Sequence, residues 1–373
     1  MSMDIRKCFE ERINKLKEII LKNRSKTLLL SKTDNFSWLT FGARGHITLD
    51  MNESVASILI TPNKPYFLVD NIEKKRLFEE EVPEELHDYF EIIVYDWWEG
   101  EYTALNKIAS PDHLISDTGR YGTKNVYEEI SPMRYILSEI EIDNYRKLGS
   151  TCDRILYEEM QVITPEMTEL KIQGKIYSRL ASEEIEPLLT IVFGDESSNL
   201  YRHNLSREVS VGRKVFISVC ARKKGLILST TRSVLFENDE KIINQHRNNC
   251  YVDAVAISGS RPGRQLGEVF KDMISAYKKV GRNNEWKLHH QGGLAGYNSR
   301  EIKATPNNEY ELKENNAVAW NPTITGTKSE DTAIIGKNDI DIISFPQKTL
   351  WPCIDFNVNG MTIRRPDIIV IKK

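Results

Sequence analysis

The fold of the second half of the chain can be inferred from residues 215–236, which read Val215-Phe-Ile-Ser-Val-Cys-Ala-Arg-Lys-Lys-Gly225-Leu-Ile-Leu-Ser-Thr-Thr-Arg-Ser-Val-Leu-Phe236. Two largely apolar runs flank a basic segment that ends at Gly225. Such runs favour extended strands, and glycine readily adopts the left-handed conformation of a tight turn. The segment therefore predicts a β-hairpin, with Ser218 in its first strand and Ser229 in its second.

This hairpin resembles the metal-binding hairpin of the pita-bread superfamily, which includes aminopeptidase P, prolidase, methionine aminopeptidase and creatinase. The family's metallopeptidases carry one Asp in the first strand and Asp-x-Thr-Arg in the second. Here Thr231-Arg232 is kept, whereas Ser218 and Ser229 stand at the two aspartate positions. Because divalent cations prefer ionised oxygen ligands, the resemblance implies a scaffold that has lost its metal.

Three further segments resemble the family's remaining ligand motifs, in the family's order. His290, in a His-His-Gln-Gly-Gly segment, takes the place of the histidine ligand. Asn321, in Trp-Asn-Pro, replaces the first glutamate, and Glu330, in Ser-Glu-Asp, keeps the second. The family's peptidases bind two metal ions with two Asp, one His and two Glu. At three of these five positions a neutral residue replaces a carboxylate here, namely Ser218, Ser229 and Asn321, so we expect no metal and no cofactor.

Two other residues acquire a role through the resemblance. His203 precedes the hairpin, where the superfamily carries a histidine that faces the substrate and, in creatinase, transfers protons without a metal. We expect His203, His290 and Glu330 to be the catalytic residues, with His203 as general base or acid. A hydrogen-bonded loop histidine is the alternative. Tyr297 stands where the peptidases carry another histidine, and it either donates to an oxyanion or only packs at a strand end.

Two arginines and three neutral side chains complete the predicted site. Arg232 is expected either to pair with Glu330 or to grip a substrate carboxylate. Arg44 lies where creatinase carries an arginine that holds the substrate carboxylate. In the family dimer that arginine reaches the site of the partner subunit. The alternative is that Arg44 is a plain surface arginine. The neutral side chains would form a hydrogen-bonding floor for a polar small molecule, and they are Ser218, Ser229 and Asn321.

The chain as a whole predicts an α+β fold. We expect residues 1–136 to form a creatinase-like N-terminal α/β domain. Residues 137–373 should form a pita-bread domain, in which helices cover a curved antiparallel sheet. Helical periodicity and caps predict four helices: Cys8–Lys22, Glu139–Met160, Ile242–Ser258 and Leu266–Lys279. In the first domain the predicted strands are Thr27–Leu30, Val55–Thr61, Tyr66–Val69, Phe90–Tyr95 and His113–Ser116.

Composition narrows the class of function. The 373 residues carry a net charge of −3 with acids and bases interspersed, which argues against nucleic-acid or anionic-membrane partners. No apolar run approaches the about 20 residues of a spanning helix, and we expect no signal peptide in the charged, amphipathic residues 1–24. The five scattered cysteines are typical of reduced thiols, so we expect a cytoplasmic protein.

Three functions are compatible with these observations. The first is a creatinase-like hydrolase that acts without a metal on a small polar C–N substrate, either a small molecule or a short peptide. The second is a non-catalytic pita-bread protein that binds a ligand or another protein. The third is a metal-dependent Xaa-Pro dipeptidase or aminopeptidase with an unusual site. The resemblance also implies a homodimer, with the loop around Arg44 bordering the partner's cavity.

Overall fold

The computed structural model describes residues 4–371, which divide into two compact units. The first unit comprises the described residues up to 141 together with 224–226. The second comprises residues 142–223 and the described residues from 227 onward. Within residues 4–371, no helix is both long and apolar enough to span a membrane. All five cysteines are free thiols.

The first unit is built on one six-stranded mixed sheet with the order β4-β3-β2-β1-β5-β6. β1 lies between β2 and β5, and its residues Leu28, Leu29 and Leu30 are fully buried, so both faces of the sheet are covered at this strand. The strands are β1 Thr27–Lys32, β2 Glu53–Ile60, β3 Pro65–Asp70, β4 Glu91–Tyr95, β5 Leu114–Ser116 and β6 Lys124–Asn125. The helices are α1 Ile5–Lys22, α2 Thr33–Leu39, α3 Glu101–Leu105 and α4 Tyr127–Ile130. The predicted helix and five strands are all present, with bounds shifted by up to three residues.

The helices of the second unit begin at the caps that the sequence predicts. Ser138 and Glu141 form the reciprocal bonds of a capping box: the Ser138 N–H donates to the Glu141 carboxylate at 2.7 Å. Thr168 caps the next helix by accepting from the Lys171 N–H at 3.2 Å. The helices are α5 Glu139–Met160, α6 Glu169–Ser182, α7 Ser197–Leu200, α8 Glu240–Gly259 and α9 Leu266–Lys279.

Two sheets and two hairpins carry the strands of the second unit. A four-stranded sheet has the order β19-β9-β8-β7, and a five-stranded sheet has the order β11-β10-β12-β15-β16. The predicted hairpin is confirmed as β8–β9, and its turn residues Lys224 and Gly225 both have positive φ, as a tight hairpin turn requires. The strands are β7 Glu186–Phe193, β8 Lys214–Lys223, β9 Leu226–Leu235, β10 Gly292–Ala295, β11 Ile302–Lys303, β12 Ala317–Trp320, β13 Thr323–Ile324, β14 Thr327–Lys328, β15 Asp331–Ile335, β16 Ile340–Asp341, β17 Cys353–Val358, β18 Met361–Pro366 and β19 Ile369–Val370.

A buried network of charges ties β9, β15 and β18 together. Asp331 lies between two arginines: Arg232 at 3.0 Å and Arg365, which also contacts Asp253. Arg232 in turn reaches Asp153 of α5 at 3.2 Å. These side chains are almost fully excluded from solvent, so each charge depends on its partners for compensation.

Removing Arg365 is expected to destabilise the fold strongly, because Asp253 would lose its cation and Asp331 would lose one of two. We predict that Arg365→Met lowers the free energy of unfolding by about 3–5 kcal/mol, measured from urea unfolding curves. The neighbouring Arg364 forms an exposed pair with Asp355, so Arg364→Met should leave the urea unfolding curve nearly unchanged. Equal losses in the two variants would contradict the assigned role of the network.

Candidate active site

The pairing of strands brings the four candidate motifs side by side. In the five-stranded sheet, Trp320 pairs with Gly292 on one side and with Asp331 on the other. One position further along, the Asn321 N–H donates to the Gln291 carbonyl at 3.0 Å. The Thr231 N–H donates to the Glu330 carbonyl at 2.9 Å, which joins this sheet to the hairpin.

The glycines of the histidine segment permit this close approach. Gly292 and Gly293 have φ of +116° and +148°, which side-chain-bearing residues rarely adopt. A Cβ atom at Gly292 would lie 2.2 Å from the Ala319 carbonyl oxygen. His290 is therefore held next to β12 by a backbone path that only glycine allows.

Glu330 is the centre of the site and its most constrained group. Only 3% of the residue is exposed. Its Oε2 accepts hydrogen bonds from Ser218 Oγ at 2.7 Å and Thr231 Oγ1 at 2.8 Å, and it contacts Lys328 Nζ at 2.8 Å. Its Oε1 accepts from Arg300 Nη2 at 3.3 Å. Each carboxylate oxygen is thus held by its own buried cation, Oε2 by Lys328 and Oε1 by Arg300.

Each of these cations also binds one of the two serines. Lys328 Nζ donates to Ser218 Oγ at 2.6 Å, and Arg300 Nη1 donates to Ser229 Oγ at 3.1 Å. Burial alone would raise the pKa of Glu330, but the positive charges of Lys328 and Arg300 outweigh burial and lower that pKa to about 2. Glu330 is therefore ionised at neutral pH.

These residues do not fit a pair of divalent cations. Any ion that bound Glu330 would have to displace Lys328 and Arg300 or lie against two positive charges. The hydroxyls of Ser218 and Ser229 supply no negative charge, which a hard divalent cation needs from its ligands.

Three histidines lie beside this cluster. His203 Nε2 is 3.2 Å from His289 Nε2, and the ring centroids of His203 and His290 are 6.0 Å apart. One nitrogen from each ring lies within 4.8 Å of the others, so together they offer three neutral donors to a single transition-metal ion. His203 is exposed, whereas His289 is buried.

The three imidazoles are held in their neutral form. Loss of hydration is the largest cause of the lowered pKa of all three, and the nearby Lys328 adds to it. This holds even for His203, because its ring packs against His289 and His290 although the residue as a whole is exposed. The pKa falls to about 2 for His289 and about 4 for His290, where the Arg300 charge contributes as well. At neutral pH these rings carry no charge, and each can accept a hydrogen bond at its unprotonated nitrogen.

Asn321 and Tyr297 are both buried. The Asn321 Oδ1 atom has no hydrogen-bond partner among the described residues, although the residue is only 2% exposed. A buried carbonyl without a donor is costly, so this atom is suited to accept from a bound ligand. Tyr297 lies in the loop after β10, where its backbone N–H donates to Glu301 Oε1 at 3.1 Å. The residue is 3% exposed, which favours the packing alternative.

One predicted contact is wrong. Arg232 does not pair with Glu330 and is not open to a substrate, because its guanidinium is buried between Asp331 and Asp153. The cause is strand alternation: Thr231 faces Glu330, so the next residue points to the opposite face. Arg44 donates from Nε to Glu81 Oε1 at 2.7 Å within the first unit, and its reach to a partner subunit's site stays a prediction.

Sequence reasoning assigned no role to Lys328, Arg300 or His289. Strand alternation could have identified Lys328, because residues two apart in an extended segment share a face, as Lys328 and Glu330 do here. Arg300 lies in the loop between β10 and β11, where no regular alternation predicts the direction in which a side chain points. His289 adjoins a predicted site residue, and its contact with His203 depends on the two loops that carry them.

Comparison with known proteins agrees with this architecture. The profile of metallopeptidase family M24 matches residues 143–373. The prolidase from Pyrococcus horikoshii OT3 superposes with a TM-score of 0.75 at 21% identity, over 91% of this chain and 99% of that chain. For the X-Pro aminopeptidase from Thermotoga maritima MSB8 the values are 0.73 and 17%, over 96% and 99%.

The same fold also occurs in a protein that is named as a subunit of a complex and not as a peptidase. The N-terminal domain of the FACT complex subunit SPT16 from Cicer arietinum superposes with a TM-score of 0.66 at 13% identity, over 92% of this chain and 97% of that chain. At such identities these likenesses show the fold alone. No curated protein matches the chain in sequence.

The neutral histidines should make the protein sensitive to mild acid. An unfolded histidine has a pKa of about 6.5, so below this pH the unfolded chain takes up protons that the folded His289 and His290 do not. Their stabilising contribution is therefore complete above pH 6.5 and is lost as the pH falls toward their folded values of about 4 and about 2.

We predict that the free energy of unfolding falls between pH 6.5 and 4.5 by up to about 1.4 kcal/mol per pH unit for each such histidine. His289→Gln should flatten this slope, measured by urea unfolding at several pH values. His246, whose pKa is also lowered by burial, is retained in both proteins and contributes equally to both curves. An unchanged slope in His289→Gln would mean that His289 is not held neutral by the fold.

Proposed function

The chain belongs to metallopeptidase family M24, and from this premise we propose that it is a hydrolase that acts without a metal ion on a small polar substrate with a C–N bond. One observation carries the proposal: Lys328 and Arg300 hold both oxygens of Glu330. This arrangement disfavours the bridged metal pair that would generate a hydroxide at neutral pH. We propose that a protein base activates the attacking water instead.

His203 is the group best suited to that task. It is exposed to solvent, and its lowered pKa leaves it neutral and able to accept a proton at pH 7. In the proposed reaction, His203 takes a proton from water as the water oxygen attacks the substrate carbon. The C–N bond then breaks and the proton passes to the leaving nitrogen. His289, in contact with His203 Nε2, would fix the orientation and tautomer of its ring.

The remaining residues would bind and orient the substrate. Asn321 Oδ1, which has no donor among the described residues, would accept from a substrate N–H group, and His290 would contact the polar part of the substrate. Glu330 was predicted to be catalytic, but its four contacts leave it no freedom to accept a proton. We assign it instead the role of a fixed negative charge that positions Lys328 and Arg300.

A protein that binds a ligand without turning it over is the second candidate. The contacts of Glu330 favour it, because both of its oxygens are held by cations and, among the described residues, no hydrogen bond or ion pair joins a carboxylate to any of the three histidines. A small molecule or short peptide as the ligand, a homodimeric state and a cytoplasmic location stay predictions.

Xaa-Pro dipeptides provide the first test. We predict negligible hydrolysis of these dipeptides, even with added manganese or cobalt, because no metal-bound hydroxide forms beside Lys328 and Arg300. Liberation of proline should be measured after incubation with and without metal. Robust metal-dependent turnover would contradict the proposal and favour a metal-dependent Xaa-Pro peptidase.

His203 provides the second test, in a screen of amidines, ureas and N-methylated amino acids for a compound that is turned over. For such a compound, His203→Ala should lower kcat by about a hundredfold or more with affinity retained, as expected for a general base. The exposed His113 in the first unit supplies the matched control, since His113→Ala should leave kcat unchanged. Compounds that bind but are never turned over, or an unchanged rate in His203→Ala, would favour the binding protein.

A further inference from the structure

We infer that Arg300 and Lys328 each take the place of one metal ion, so that the two-cation centre of the fold is built here from side chains. The inference concerns the charge balance of the site and does not depend on the proposed catalytic activity. It rests on three observations: the contacts of the two cations, their burial, and the residues that have changed around them.

The two cations contact the positions at which the resemblance places metal ligands. Lys328 joins Ser218 Oγ to Glu330 Oε2, and Arg300 joins Ser229 Oγ to Glu330 Oε1. Each cation therefore links one hairpin serine to its own oxygen of a single carboxylate. By the resemblance described above, both serines and Glu330 stand at ligand positions, so the cations connect the same points as two bridged ions would.

Burial holds both cations in these places. The side chains of Arg300 and Lys328 are only 4% and 8% exposed. Removing a buried cation from its anionic partner leaves an uncompensated charge, which costs far more than breaking an exposed pair. The two side chains are therefore built into the site and are not surface groups that rest on it.

The residues that replace the family's carboxylates fit the smaller positive charge that two side chains carry in comparison with two divalent ions. Two divalent ions carry four positive charges, and the family's two aspartates and two glutamates balance them. Arg300 and Lys328 carry two positive charges, and one carboxylate, Glu330, remains beside them. Retaining all four carboxylates around two monovalent cations would leave buried negative charge without compensation. With Ser218, Ser229 and Asn321 in place of three carboxylates, one negative charge lies beside two positive ones, and no buried carboxylate of the site lacks a cation.

The test asks whether Arg300 keeps a metal out once a carboxylate is returned. In Ser229→Asp alone, the new carboxylate lies next to Arg300 and should pair with it, so Mn²⁺ and Co²⁺ should bind no better than to the wild type. In Ser229→Asp combined with Arg300→Ala, the new carboxylate, Glu330 and His290 become available. Isothermal titration should then give about one ion per chain, bound at least about tenfold more tightly than by Ser229→Asp alone.

Two matched controls separate charge from the loss of any arginine. Ser229→Asp with Arg300→Lys keeps the positive charge and should not gain affinity. Ser229→Asp with Arg222→Ala removes another arginine of the same hairpin, one paired with Glu186, and should not gain affinity either. If the Arg300→Ala double variant is unfolded by circular dichroism, Arg300→Gln replaces it, because glutamine keeps a hydrogen-bond donor without the charge.

Two results would overturn the inference. One is that Ser229→Asp, with Arg300 intact, binds metal as tightly as Ser229→Asp combined with Arg300→Ala. Arg300 would then not exclude a metal ion. The other is a folded double variant, with Ala or Gln at position 300, that binds metal no better than the wild type. Arg300 would then not occupy the place of an ion.

Discussion

The carboxylate of Glu330 is buried and ionised, and the arrangement of the site depends on how that charge is balanced. Lys328 and Arg300 contact opposite oxygens of the carboxylate, and Ser218 and Thr231 complete its hydrogen bonds. Without the cations, burial would favour the protonated acid. Burial lowers the pKa of His290, and the positive charges of Arg300 and Lys328 lower it further, so that ring is neutral beside them. The cations that balance Glu330 thus add to the effect of burial on a neighbouring group.

Strand alternation separates this site from the charges that hold the fold. Glu330 and the next residue, Asp331, point to opposite faces at the start of β15, and Thr231 and Arg232 do the same on β9. One face carries Glu330 and its cations, while the other carries Asp331 between Arg232 and Arg365. Of two adjacent residues, one therefore belongs to the polar site and the other to the structural network. The effects of substitutions on one face can be distinguished from the effects of substitutions on the other.

Local signals in the sequence were sufficient for most of the fold. The β8–β9 hairpin, the capping box at Ser138 and the helix cap at Thr168 each depend on a few neighbouring residues, and each was predictable. The family's motif order indicated which distant segments meet, because it identifies strands that pair in the folded sheet.

The contacts of individual side chains were harder to predict. Arg232 pairs with Asp331 and not with Glu330 because successive residues of β9 point to opposite faces, and the motif order alone does not show which face each residue takes. Arg300 and His289 lie outside regular strands, so their directions are set by loop conformation, which leaves no periodic signal. Arg44 pairs with Glu81, a contact between residues far apart in the sequence that only the tertiary fold creates.

Diffraction from crystals of the wild-type protein soaked in a high concentration of Mn²⁺ would test most directly whether side chains have replaced the metal ions. Data collected at a wavelength where manganese scatters anomalously would locate any ion independently of the protein density. The account predicts no anomalous peak beside Glu330, with the Arg300 guanidinium and the Lys328 ammonium group in contact with its two oxygens. An anomalous peak bound to Glu330 and His290, with Arg300 displaced, would contradict it.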